Sequence, residues 1–480
     1  MKNKIYLIEA GAKPSVYDFI KTIPRLGILM IAEDLRRNGF NVSVKNENIW
    51  PLQLEKYDDG RIFGISSTTA TAQRAYDIGD RIKELHQDST VVMGGPHVTF
   101  MQEEALQHCD IVVKKEGIET MREISQSVIH GNGSLEDILG LSYKENGSFV
   151  ENKDRPIAHN LEFMLAPAFD LIEGLGKKPA FYRRKVKMPV LPILLRLGCP
   201  FNCKFCCVVK MFGRKFRSKT VDQSIDEIKL KEKYVQDGLL SRDRFGDISI
   251  FFVDDNFCPP DSEEDMDELV TRILDENLHE HTRFAAQVRA DFALKNKELL
   301  KKMKKANFYR FYIGYESAND EVLKSMRKGI TKEIMIENTK VINDTDIDLH
   351  GMFIGQEPIH TIDEILGFSR QLRLKTIQIL ALIPLPGTDT YNELEAQGRI
   401  FNKNWIDYDG HFPVIKPYPV ETMDRIIKVH QAFYSSTAHL NNGDWKNYFI
   451  NKYIYHHARK MIRKWDIEFR KYAKKWQDFV

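Results

Sequence analysis

LRLGCPFNCKFCCVVKMFGRKFR, residues 195–217, holds four of the six cysteines of a 480-residue chain within nine positions. Cys199, Cys203 and Cys206 are spaced C-x3-C-x2-C, Cys207 follows directly, and Cys109 and Cys258 stand alone elsewhere. Gly198, Pro200 and Asn202 surround the cysteines, a turn-forming setting rather than an apolar core run. Three readings compete. A structural zinc site normally takes four protein ligands, often as two separated pairs, and no second pair exists here. A disulfide is disfavoured because six cysteines in a chain of this length are too few for a disulfide scaffold and point to a reducing compartment. An iron–sulfur cluster held by three thiolates, with one iron left open, suits a short loop that wraps its sulfurs around a compact body.

The apolar run LPILLRL (191–197) precedes the cysteines, and an aromatic residue, Phe205, stands just before Cys206. With further strand-like runs downstream, this pattern resembles the signature of radical S-adenosylmethionine (SAM) enzymes. The resemblance implies that Cys199, Cys203 and Cys206 ligate a [4Fe–4S] cluster whose open iron is chelated by the amino and carboxylate groups of SAM. It implies that an electron from the cluster breaks the S–C5′ bond and that the resulting 5′-deoxyadenosyl radical abstracts hydrogen. An external electron donor such as flavodoxin or ferredoxin and an anaerobic setting go with it. Cys207 is read as a buried thiol, since its sulfur should point away from its neighbour's.

Downstream, DISIFFV (247–253), RFAAQV (283–288), YRFYIGY (309–315), DLHGMFI (348–354) and TIQILALI (376–383) alternate with amphipathic helical segments. Strand–helix alternation predicts a parallel sheet, and six units match the partial (β/α)6 barrel of the radical SAM family. Sites on such barrels lie at the carboxyl ends of the strands. Asp254, Asp255, Gln287, Arg289, Glu316 and Ser317 fall there. A cationic, zwitterionic cofactor needs carboxylates or amides for its ammonium and ribose groups and a guanidinium for its carboxylate. By resemblance, Asp254 and Asp255 take the amino-group position, Arg289 a carboxylate contact, and Glu316 the ribose or amino position, while ALIPLPGT (381–388) resembles the stretch that packs on adenine.

The first 135 residues read differently. KIYLIEA, FNVSVKN, RIFGISS, TVVMGGP and DIVVKKE are expected as buried parallel strands separated by helices, a doubly wound, Rossmann or flavodoxin-like sheet. The local text GISSTTAT and VMGGPHVTF, and the order of domains, resemble the cobalamin-binding domain of B12-type radical SAM enzymes. The resemblance places Ser66, Ser67, Thr68, Thr69, Gly94, Gly95, Pro96 and His97 in loops lining a corrin. The D-x-H-x-x-G motif that supplies a cobalt-ligating histidine is absent, so the domain either binds cobalamin without such a histidine or is a relic that has lost it. Residues 136–188 are expected as a linker with a hairpin at Asn146-Gly147, 189–390 as the barrel, and 391–480 as a mainly helical region. His411, in YDGHF, is a candidate for the substrate side or for a capping turn.

Composition excludes several classes. The chain is 42% hydrophobic and 29% charged with net charge +2, so no global polyanion binder and no nucleic-acid partner is expected. No apolar run long enough to span a membrane exists, and no signal-peptide pattern precedes the first strand. A cytoplasmic location is expected. The basic, tryptophan-bearing stretch 445–480 is read as an amphipathic helix making peripheral contact with an anionic membrane or as a helix docking its aromatics on the barrel, with nucleic acid a weaker third option because no base-reading motif accompanies the charge. The expected function is radical SAM chemistry on a small-molecule or lipid substrate, foremost cobalamin-dependent methylation of an unactivated carbon. The alternatives are a cyclase or carbon-coupling enzyme acting on a tetrapyrrole or lipid, and a non-catalytic cobalamin sensor.

Overall fold

Strands buried on both faces can be apolar throughout, and four of the first five runs behave nearly so, while NVSVKN at the edge of the sheet keeps polar, partly exposed positions. In the computed structural model, β1 (Lys4–Glu9), β2 (Asn41–Asn46), β3 (Gly60–Ser66), β4 (Thr90–Gly94) and β5 (Ile111–Val113) pair in parallel in the order β2-β1-β3-β4-β5. This is the flavodoxin-like order, which reverses direction between β1 and β3. Residues 3–12, 23–177, 185–435 and 448–476 are described. Parts of the expected linker (178–184) and of the basic tail (436–447, 477–480) lie outside them.

The segment read as a linker does more than connect. β6 (Leu141–Glu145) pairs antiparallel with β5, and β7 (Ser148–Glu151) with β6, so the hairpin extends the sheet to seven strands. Asn146 and Gly147 both take positive φ, 49° and 82°, as a two-residue hairpin turn demands. The cause of the extension is burial: Leu141, Ser142 and Tyr143 are covered, so the strand has an inner face to hide.

The chain forms two compact units that do not follow chain order. The first holds the seven-stranded sheet and continues through residues 185–200 and 207–254. There β8 (Leu191–Ile193) pairs in parallel with β11 (Ile248–Phe252). β9 (Arg196–Leu197) pairs antiparallel with β10 (Arg217–Ser218), so the segment after the cysteines folds back on the segment before them. Arg217 is buried and pairs with Glu116 beyond β5.

In the second unit, β12 (Thr282–Arg289), β13 (Phe308–Glu316), β14 (Asp348–Gly355) and β15 (Thr376–Ala381) run parallel in that order. Helices follow each strand; Lys297–Lys305 and Thr361–Gln371 bury their apolar stripes. Phe257, Phe284, Phe308 and Phe311 form an aromatic core, with Phe284 and Phe308 stacked at 5.2 Å. The helix Pro419–Phe433 packs on β15, and the Tyr434 hydroxyl donates to the Ile377 carbonyl at 2.8 Å. The basic tail forms the helix Tyr448–Trp476, with Tyr455, Ala458, Ile462, Trp465 and Phe469 buried as one stripe. Among the described residues, no helix is long and apolar enough to cross a membrane.

Candidate functional site

The three cysteines lie on the loop that β9 and β10 close. Gly198 opens it at φ +94°, and a side chain there would run into the Lys215 carbonyl oxygen, so glycine alone fits before the first cysteine. The Cys199 amide donates to the Gly213 carbonyl at 3.2 Å. The Cys206 amide donates to the Cys203 carbonyl at 3.2 Å, which turns the backbone back between the last two thiols of the motif. Cys199, Cys203 and Cys206 are half-buried and free of disulfides, as is Cys207, which caps the short helix Val208–Phe212. Cys207 is therefore not the buried thiol expected. Cys109 and Cys258 are buried.

Within the second unit the loop is tied down at Phe201 and at Lys204. The Arg289 guanidinium lies 3.5 Å from the centre of the Phe201 ring. The Lys204 amide donates to the Met326 carbonyl at 3.0 Å, and its carbonyl accepts from the Thr390 amide at 3.1 Å. The Lys204 ammonium pairs with Glu393 at 2.8 Å, so the helix Asp389–Ala396 grips the loop twice. Burial pushes the Cys203 thiol up, while Lys328 and Arg289 pull it down.

At the strand ends the expected residues divide. Asp254, fully buried, accepts from the amides of Leu195 and Arg196, anchoring the strand that leads into the cysteines; burial pushes its carboxyl up to about 7. Asp255 is exposed, yet enough protein surrounds it that burial raises its carboxyl to about 6. Gln287 donates to the Asp255 carbonyl at 3.3 Å. Arg289 is buried, forked on Asp291 at 3.1 and 3.0 Å, and donates to the Lys328 carbonyl at 3.1 Å. Most of its donors are thus committed inside the protein.

Glu316 ends β13 at φ 64°, a left-handed conformation rare for a residue with a side chain, and backbone strain of this kind gathers at functional sites. Its Oε1 accepts from the Lys328 ammonium at 2.7 Å, with both groups nearly buried. A side chain at Gly314 would collide with Glu316, so that glycine makes room for the pair. Ser317 is buried, and its hydroxyl accepts from the Asn319 amide at 3.1 Å.

Sequence reading missed Lys328. Its signal was indirect: a carboxylate ending a buried strand demands a cation, and MRKG (326–329) offers one at a turn. It also missed the polar layer in the second unit. There Tyr312 and His350 are ring neighbours at 5.0 Å and the His350 Nδ1 lies 2.7 Å from the Thr376 hydroxyl. Burial lowers His350 to about 3, so the ring is neutral.

On the N-terminal sheet, Ser66, Thr68 and Gly94 are half-exposed at the carboxyl ends of β3 and β4. Thr68 starts a single helical turn and accepts from the Arg25 guanidinium at 3.2 Å. Arg25 also faces Glu9 at the end of β1, where Glu9 accepts from Asn46 at 2.7 Å. The Arg25 Nη1 has no partner among the described residues. Gly95 has φ +111°, and a side chain there would strike the Ser67 carbonyl, so the packing of two loops by itself requires glycine here. Ser67, Thr69 and His97 are buried, Pro96 starts the short helix Pro96–Phe100, and His97 lies 3.1 Å from the Tyr76 hydroxyl and 3.3 Å from that of Thr69. His411 is likewise buried. Its ring meets Trp465 edge-on at 5.2 Å and its carbonyl accepts from the Trp465 indole at 2.9 Å, so it seats the last helix.

Two family models match the chain: the B12 binding domain over residues 19–125 and the radical SAM superfamily over residues 193–369. The chain belongs to the radical SAM enzymes that carry a B12-binding domain. This radical SAM enzyme is 29% identical over 448 residues to an uncharacterized methyltransferase of Pyrococcus horikoshii, covering 90% of the chain and 92% of that protein. It is 24% identical to a bacteriochlorophyllide d C-12(1)-methyltransferase of Chlorobaculum tepidum, covering 91% and 89%. It is also 24% identical to an anaerobic magnesium-protoporphyrin IX monomethyl ester cyclase of Cereibacter sphaeroides, covering 78% and 60%. Among solved structures, OxsB with aqua-cobalamin and SAM bound superposes with a TM-score of 0.69 at 14% identity, covering all of this chain and 80% of that one. TsrM of Kitasatospora setae, with cobalamin and a [4Fe–4S] cluster, gives 0.63 at 16%, covering 83% and 75%. These likenesses are of fold.

The cofactors of this radical SAM enzyme are a [4Fe–4S] cluster, SAM and cobalamin. The cysteine loop suits the first. Among the described residues no three His, Cys, Asp or Glu side chains converge on a single ion, but a cluster spreads its thiolates over different irons and needs no such convergence.

Proposed function

We propose that this enzyme methylates an unactivated carbon of a small molecule. The observation that carries the reading is the pairing, in one chain, of a strapped three-cysteine loop with a flavodoxin-ordered sheet whose carboxyl edge is open at Ser66, Thr68 and Gly94. When bound, the cluster supplies the electron that cleaves SAM and cobalamin carries the methyl group.

The residues divide the work as follows. Cys199, Cys203 and Cys206 hold the cluster. Asp255 and Gln287 face the SAM ammonium, and Glu316, held by Lys328 at the end of β13, takes a ribose hydroxyl or the same ammonium. Asp254 and Arg289 are positioning residues: one anchors the strand before the loop, the other stacks on Phe201. Arg25 donates from its free Nη1 to amide or phosphate oxygens of cobalamin, beside Thr68 at the β1/β3 reversal. His97 stays in the core, so cobalt has no ligand from it. An external one-electron donor of the flavodoxin or ferredoxin kind reduces the cluster.

The substrate is a tetrapyrrole or a lipid. Likeness to a tetrapyrrole methyltransferase and to a tetrapyrrole ring cyclase supports the former, and the cyclase supports ring closure as the second reading of the reaction. The test is anaerobic purification, cluster reconstitution and added hydroxocobalamin, followed by desalting and mass spectrometry. Methylation predicts near-stoichiometric retained cobalamin. Protein that retains none while still cleaving SAM sinks methylation and leaves ring closure.

A further inference from the structure

We propose that the exposed face of the C-terminal helix Tyr448–Trp476 seats the enzyme on an anionic lipid bilayer. The helix carries nine lysines and arginines against two acids, although the whole chain has a net charge of only +2. The excess is local, and the remainder of the chain is net acidic.

One face of the helix is packed and the other is left to solvent. Tyr455, Ala458, Ile462, Trp465 and Phe469 recur at helical spacing and are buried, and the Trp465 indole is tied to the His411 carbonyl at 2.9 Å. This fixes the rotation of the helix. At about 100° per residue, Lys460, Arg463, Lys464, Ile467, Lys471 and Lys474 fall on the opposite side, and all six are exposed. Lys464 reaches Glu468 at 3.8 Å; none of the other cations has an acidic partner among the described residues. Like charges three and four positions apart repel, so the face stays poorly compensated until an anionic surface meets it. In its middle, Ile467 leaves 51% of its surface in water.

The shape of this face selects the partner. Lys460 to Lys474 form a straight rib of about 21 Å, at roughly 1.5 Å rise per residue, which suits a plane of headgroups. An aliphatic side chain ringed by cations can enter the interface of a bilayer. Among its described side chains the face offers no Phe, Tyr or Trp on which bases would stack. The inference does not depend on which carbon the enzyme modifies.

The test uses full-length enzyme and sedimentation with vesicles of phosphatidylcholine, with or without 30 mol% phosphatidylglycerol. Each surface cation contributes about fivefold to binding. The variant K460E/R463E/K471E/K474E should therefore bind the anionic vesicles at least about a hundredfold more weakly, and K460Q/R463Q/K471Q/K474Q should fall between it and wild type. Retained SAM cleavage in both variants shows that they fold. No preference of wild type for anionic over neutral vesicles overturns the proposal. So does equal binding by wild type and the reversed variant, or tighter binding of wild type to a single-stranded oligonucleotide than to the anionic vesicles.

Discussion

The Arg289 guanidinium lies over the Phe201 ring, 3.5 Å from its centre, while its nitrogens fork onto Asp291. Phe201 sits between the first two cysteines of the motif, so this one contact joins the end of β12 to the cluster loop. Cation–π contacts are worth about 0.5–2 kcal/mol, and an ammonium reproduces neither the fork nor the stack. Arg289→Lys and Phe201→Leu should both hasten loss of iron from the reconstituted enzyme, measured by the decay of its visible absorbance. A wild-type decay rate in both would remove Arg289 from the positioning role.

Cys199, Cys203 and Cys206 share one half-buried loop. Replacing all three by alanine should abolish iron–sulfur absorbance and SAM cleavage. Cys207→Ala should leave about one cluster per chain by iron and sulfide assay, and loss of the cluster there would reassign the third ligand.

Glu316 and Lys328 form a nearly buried pair at 2.7 Å. Removing one partner strands a charge, at a cost of about 3–5 kcal/mol, whereas removing both costs less. Lys328→Met should destabilise the enzyme more than the double variant with Glu316→Gln. SAM affinity, read by equilibrium dialysis, should fall about 10- to 150-fold in Glu316→Gln, the worth of one charge-assisted hydrogen bond. Unchanged affinity places SAM elsewhere.

The two adjacent glycines after β4 should behave differently. A side chain at Gly94 meets only ordinary contact with Val113, 3.8 Å away, whereas one at Gly95 strikes the Ser67 carbonyl. Gly94→Val should keep the fold and the cluster but lose cobalamin by its absorbance after desalting. Gly95→Val should lower the melting temperature with or without cobalamin. Full cobalamin retention by Gly94→Val would move the corrin away from this edge.

His430 is buried with both nitrogens used: Nδ1 lies 2.9 Å from the Ile426 carbonyl and Nε2 accepts from the Ile379 amide at 3.1 Å. Only the neutral ring satisfies both, and burial lowers its pKa to about 4. The unfolded chain binds this proton near pH 6.5 and the folded one does not, so stability falls as pH drops from about 6.5 to 4, by about 1.4 kcal/mol per unit. Denaturant unfolding at pH 7 and pH 5 should show the loss, and His430→Gln should flatten the slope by one proton.

Much of this was legible in local sequence. The cysteine spacing, the glycine before it, the apolar runs and Asn146-Gly147 each act through neighbours in the chain. What was not legible depended on distant partners. That Gly95 is needed by the Ser67 carbonyl could not be read from the local text, and His97 looked like a loop residue but is buried against Tyr76. Asp254 and Asp255 are adjacent in sequence, yet one turns inward to backbone amides and the other is exposed. The hairpin read as a linker joined the sheet because one face of β6 needed cover.

Lys204 shows a further kind of silence. Two of its three ties, to Met326 and to Thr390, are made by its peptide amide and carbonyl, not by its side chain. Almost any residue could stand between Cys203 and Cys206 and be fastened the same way. Divergent relatives can therefore change that letter freely without loosening the loop, while a deletion of one residue in the turn before Thr390 would unfasten it with every cysteine still in place.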